Sequence, residues 1–78
     1  VPKLPALSGK EVIAILSKAG FEVRRQSGSH VILTKFVNEK KIAVVVPNHK
    51  EVDRGTLVEI IRQARLSRDE FLKMASKI

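Results

Sequence analysis

FEVRRQSGSHVILTKFVNEKKIAVVVP, residues 21–47, is the stretch whose reading decides the fold. It opens with a period of two: Phe21 and Val23 alternate with Glu22 and Arg24, as in a strand with one wet face. Ser27 and Gly28 supply a turn, and Val31 to Val37 is rich in β-branched and aromatic side chains. Asn38-Glu39-Lys40 breaks that run, and Lys41 to Val46 forms a third. Pro47 has no N–H to give to a ladder and closes it. Three short strands with short connections predict an antiparallel meander. If Phe21 and Val23 point to the core, Arg24 and Gln26 point outward.

Helical signals flank this region. Upstream, Ser8 and Glu11 have the spacing of a capping box, with Leu7 and Val12 at the staple positions, so a helix is predicted from Gly9. Val12, Ile13, Leu16 and Ala19 form its apolar face, and Gly20 stands where a left-handed residue ends it. Downstream, Asn48 to Val52 reads as a polar loop and Asp53 as an N-cap. Leu57, Ile60, Ile61 and Ala64 form the face of a second helix. That helix must end before Ser67, because Ser67 and Glu70 repeat the capping box, with Leu66 and Phe71 as staple. A short third helix runs toward Ile78. The expectation is an α+β domain with a three-stranded antiparallel sheet and both main helices on one face, leaving the other face to solvent or a ligand.

Composition narrows the function. Seventy-eight residues have room for one compact core, so a single domain over residues 1–78 is expected. No apolar run approaches the roughly 18 residues of a membrane span, and residues 1–7 lack the apolar region of a secretory signal. There is no cysteine, which excludes disulfides, thiolate metal sites and thiol catalysis. Fifteen Lys and Arg against eight Asp and Glu give a formal charge of +7, so polyanions or acidic proteins are the expected partners. Arg24, Arg25, Lys35, Lys40, Lys41, Lys50 and Arg54 gather around the sheet and the loop beyond it, where they can track phosphates. With only three aromatic residues, all Phe, the chain has little material for a base-stacking platform.

The chain has two histidines, His30 and His49, each beside a strand end. His30 follows Ser27-Gly28-Ser29, small residues whose backbone a phosphate can approach without obstruction, although Ser-Gly is also an ordinary turn former. On an RNA substrate the nucleophile comes with the substrate. A base need only take the proton from a ribose 2′-OH, a task suited to an imidazole, which titrates near neutrality, while arginine or lysine stabilises the crowded phosphorane. No metal or other cofactor is needed for this route. His49, Glu51 and Asp53 stand at alternate positions, but Asp53 already has work as an N-cap, and hard-metal nucleases gather several carboxylates around the ion. No Gly-x-Ser-x-Gly elbow, Walker A loop or dinucleotide fingerprint occurs.

Taken in order, Gly20-Phe21-Glu22-Val23, Gln26-Ser27-Gly28-Ser29-His30, Val46-Pro47-Asn48-His49, Gly55-Thr56-Leu57 and Ser67-Arg68-Asp69-Glu70-Phe71 resemble the HicA (YcfA-like) toxins over nearly the whole chain. The resemblance implies a double-stranded-RNA-binding-like α-β-β-β-α fold, metal-independent endoribonuclease cleavage of mRNA that arrests translation, and neutralisation by a HicB-type antitoxin. It places the family's catalytic histidine on His30 and carries Gly28 and Ser29 over with it. His49 matches a family position to which it assigns no role. The implied setting is prokaryotic and cytoplasmic. Arg24, Arg25 and Lys35 are the candidate phosphate contacts near His30. The alternative is a non-catalytic, basic RNA-binding module of the same fold. Such modules grip phosphates with a lysine cluster at the start of the second helix, where this chain reads Asp53-Arg54-Gly55-Thr56, so the docking surface is expected nearer the first hairpin.

Overall fold

A computed structural model describes residues 4–77. Residues 1–3 of the opening stretch, and Ile78, toward which the third helix is predicted to run, lie outside the described residues. The elements follow in the order α1 (Gly9–Lys18), β1 (Glu22–Ser27), β2 (His30–Val37), β3 (Lys40–Pro47), α2 (Arg54–Gln63) and α3 (Arg68–Ala75), which is the α+β order expected. The sheet is antiparallel, in the order β1-β2-β3.

Both predicted capping boxes form. Ser8 Oγ accepts from the Glu11 N–H at 3.1 Å while Glu11 Oε1 accepts from the Ser8 N–H at 2.9 Å, and Ser67 and Glu70 repeat the exchange at 3.0 and 2.9 Å. Each exchange satisfies two backbone donors at a helix end. At the other end of α1, Phe21 N–H reaches Leu16 C=O at 3.0 Å across Gly20, which has φ +100°. The same wrap ends α2, where Leu66 N–H reaches Ile61 C=O at 3.2 Å, but there Arg65 takes the left-handed position with φ +62°.

One face of the sheet carries the core. Val31 and Leu33 of β2 and Val44 and Val46 of β3 pack with Val12, Ile15 and Leu16 of α1, Leu57, Ile60 and Ile61 of α2, and Phe71 of α3. The α1 face is therefore rotated from the one read in the sequence: Ile15 is fully buried, while Ile13 and Ala19 only flank the cluster. The α2 face is the one expected, with Leu57, Ile60, Ile61 and Ala64 all buried.

The first strand departs from simple alternation. Val23 pairs with Leu33 but Arg25 pairs with Ile32, so Arg24 and Arg25 together oppose Ile32 in a β-bulge. Beyond the bulge every side chain changes face relative to the alternation expected, and Gln26 pairs with the buried Val31 instead of pointing outward. Val23 does share the face of Leu33, yet it remains 51% exposed because β1 is an edge strand that the helices cover poorly. Arg24 points outward as expected, and the bulge brings Arg25 onto the same outer face beside it.

The two hairpins use different turns. Asn38 and Glu39, with φ +50° and +67°, join β2 to β3 as a type I′ pair. Gly28, with φ +60°, and Ser29 join β1 to β2. Among the described residues no helix is long and apolar enough to cross a membrane.

Candidate functional site

His30 is the first residue of β2, exposed and paired on one side with Ser27 and on the other with Pro47. It therefore stands on the outer face, in a row with Ile32, Thr34 and Phe36, at the end of the sheet where the first hairpin meets the loop leaving β3. Pro47 belongs to β3 as its last residue, a position that needs no donated N–H.

That loop is fastened on three sides. Asn48 N–H donates to the Ser29 carbonyl at 2.6 Å, Gly9 N–H donates to the His49 carbonyl at 2.9 Å, and Val52 N–H donates to the Leu7 carbonyl at 2.7 Å. The approach of α1 is so close that a Cβ on Gly9 would lie 2.5 Å from the Pro47 oxygen and 2.6 Å from Asn48 Cα. Gly9 is thus required for contact with the loop, a role the sequence reading missed because Gly9 looked only like the first residue of a capped helix. A glycine at a helix start, where Ala would propagate the helix better, was the available signal.

The outcome is a groove shared by both histidines. His30, Val45 and Pro47 line its sheet side, His49 lines it from the loop, Asp53 from the N-cap of α2, and Thr56 and Glu59 from α2 itself. Neither imidazole takes part in a side-chain hydrogen bond among the described residues, which leaves their nitrogens available to an incoming molecule. The carboxylates of the groove are committed. Asp53 accepts from the Thr56 hydroxyl at 2.7 Å and the Thr56 N–H at 3.1 Å, and these bonds hold its pKa below the usual aspartate value. Glu59 is paired with Arg62 one turn along α2, and hydrogen bonding from that guanidinium likewise lowers its pKa. His49, Glu51 and Asp53 do not form a metal-binding group; among the described residues no cluster of three such side chains does.

The predicted phosphate contacts divide into two sets. Gly28 and Ser29 form the turn directly before His30, and a Cβ built on Gly28 would meet nothing within 4 Å, so the backbone there is open to a ligand. Arg25 is exposed on the outer face and is the diagonal neighbour of His30, at roughly 7–8 Å between side-chain origins. Arg24 lies across the same face, its Nε donating to Thr34 Oγ1 at 2.9 Å. The Arg24 side chain thus covers Thr34, which is only 3% exposed although it lies on the outer face.

Lys35 is not brought to this site. It lies five residues from His30 along β2, about 16 Å, and on the helix-covered face. Its ammonium donates to the Ala19 carbonyl at 2.7 Å, beyond the end of α1, and sits 5.7 Å from the Phe21 ring centroid. Lys35 instead lines a second groove with Lys40, Lys41, Arg65 and Glu70 at the opposite end of the sheet.

Fold and site together define a small basic α+β domain with an exposed histidine pair at one end of a half-covered sheet. Residues 9–66 match the family described as the HicA toxin of bacterial toxin-antitoxin. The chain belongs to this HicA toxin family, and membership implies an antitoxin partner. A search among curated proteins found no match.

Proposed function

We propose that this chain is a metal-independent endoribonuclease that cleaves mRNA and inhibits translation in the cytoplasm, with His30 in proton transfer, and that a HicB-type antitoxin neutralises it. The observation carrying the proposal is the placement of His30: exposed, in no side-chain hydrogen bond among the described residues, and held at a turn whose backbone is fastened to the β3–α2 loop. Family membership supports the toxin part of the reading.

In the proposed reaction His30 removes the proton from a ribose 2′-OH. The 2′-oxygen attacks the adjacent phosphorus, the bond to the 5′-oxygen breaks, and a 2′,3′-cyclic phosphate and a 5′-hydroxyl result. Arg25 offers a guanidinium beside His30 for the phosphorane charge, with Arg24 fixed next to it by Thr34. Gly28 and Ser29 let the RNA backbone approach. Asp53 and Glu59 repel phosphate from the α2 wall, so the strand enters from the arginine side.

The test combines growth with chemistry. Induced expression should arrest growth, co-expression of the adjacent open reading frame should relieve it, and RNA cut by the purified protein should carry 2′,3′-cyclic phosphate ends. Ends consisting only of 5′-phosphates would exclude attack by the neighbouring hydroxyl. Salt-sensitive RNA binding without turnover by antitoxin-free protein would favour a non-catalytic binding module.

A further inference from the structure

We infer that His49 is a second catalytic residue, the general acid that protonates the departing 5′-oxygen. The inference rests on the proposed RNA cleavage and adds a group to it.

Breaking the bond from phosphorus to the 5′-oxygen leaves an alkoxide, a poor leaving group unless it receives a proton as the bond lengthens. If His30 takes the 2′-proton, another group must supply this one. The groove offers few donors. Asp53 and Glu59 both have lowered pKa values and so are ionised at neutral pH, with no proton to give. The Thr56 hydroxyl already donates to Asp53, and the Gln63 amide does not titrate. His49 is the remaining titratable side chain among the described lining residues.

Its placement suits the task. The residues preceding the two histidines are joined by the Asn48–Ser29 hydrogen bond, and His49 is held through its main chain, its carbonyl accepting from Gly9 and its N–H donating to the Pro47 carbonyl at 2.9 Å. The imidazole is therefore presented by a fixed backbone without itself being used to build the loop. During cleavage a proton passes from the 2′-OH to His30 and another from His49 to the 5′-oxygen. Exchange of protons with solvent after the product leaves restores both imidazoles to their starting states.

The experiment compares wild type, His49→Gln and His30→Gln on two forms of one RNA, after its cleavage site has been mapped. The second form carries sulfur in place of the 5′-bridging oxygen at that site, so the leaving thiolate departs without a proton. On ordinary RNA, His49→Gln should cut about 10²–10⁴-fold more slowly than wild type. On the sulfur-bridged RNA its deficit should shrink to within about tenfold, whereas His30→Gln should be impaired on both. The inference is overturned if His49→Gln cuts ordinary RNA at the wild-type rate, or if its deficit is equal on the two substrates, as a structural role would give. Wild-type protein that cuts neither RNA overturns the proposed function as well, which separates the two failures.

Discussion

The N–H of Asn48 donates to the carbonyl of Ser29 at 2.6 Å, so the residue preceding one histidine is bonded to the residue preceding the other. Two segments 19 positions apart in the chain thereby become one edge of a groove. The bond is backbone to backbone, and the geometry therefore depends on how the loop is packed from behind, above all by α1.

Gly9 is the residue through which that packing acts. An alanine there would place its Cβ against the Pro47 oxygen and Asn48 Cα, both main-chain atoms that cannot rotate away. Overpacking of this kind costs about 1–3 kcal/mol, more than the roughly 0.5–1 kcal/mol that alanine gains over glycine in a helix. We expect Gly9→Ala to lower Tm by several degrees and to reduce cleavage per folded molecule. Gly55→Ala is the control: its Cβ would meet only Asp53 Oδ2 at 3.5 Å, an ordinary contact, and Tm should hold or rise. Thermal melts showing the two variants equally stable would contradict the role given to Gly9.

Arg25 and Lys35 should separate by what their loss removes. Arg25→Ala should weaken RNA binding and lower the slope of log affinity against log salt by about one, with little change in stability. Lys35→Met should leave that slope unchanged. It should lower stability by about 1–2 kcal/mol, through the lost hydrogen bond to Ala19 and the lost contact with Phe21. Salt titrations of binding and urea unfolding check both, and an unchanged salt slope for Arg25→Ala would remove it from the phosphate path.

Acid should loosen two helix starts. Asp53 and Glu70 have pKa values below their ordinary range, Asp53 chiefly through the Thr56 hydroxyl and Glu70 chiefly through the Ser67 N–H. A folded-state value below the unfolded one stabilises fully above the unfolded value of about 4, and that stabilisation is lost as pH falls through the lowered value. The urea midpoint of the wild type should therefore drop below about pH 4. Asp53→Asn keeps an N-cap acceptor but cannot titrate, so it should show a shallower drop. Parallel curves for wild type and variant would contradict the assignment.

The elements were legible in the sequence where a residue type announces its conformation. Ser8 and Ser67 with their glutamates marked two helix starts, and Gly20 marked a helix end, because each satisfies or permits a backbone state that few other residues do. The end of α2 had no such marker at Arg65, and only the capping box after it required a stop. The bulge at Arg24–Arg25 was illegible for a related reason: no glycine or proline signals it, and Val23 is apolar whichever way it points. His30 could be singled out as a candidate because it follows an open turn. Its meeting with His49 depends on hydrogen bonds between main-chain atoms, which carry no residue signature. Lys35 shows the converse, since a lysine near His30 in sequence reads as a phosphate contact until strand alternation places it on the opposite face.

The most direct measurement is cleavage of RNA by purified, antitoxin-free protein in excess chelator, comparing wild type with His30→Ala at matched folded concentration. Wild type should cut, and the variant, equally folded and still able to bind RNA, should not. Equal cutting by both would contradict the role of His30 in proton transfer.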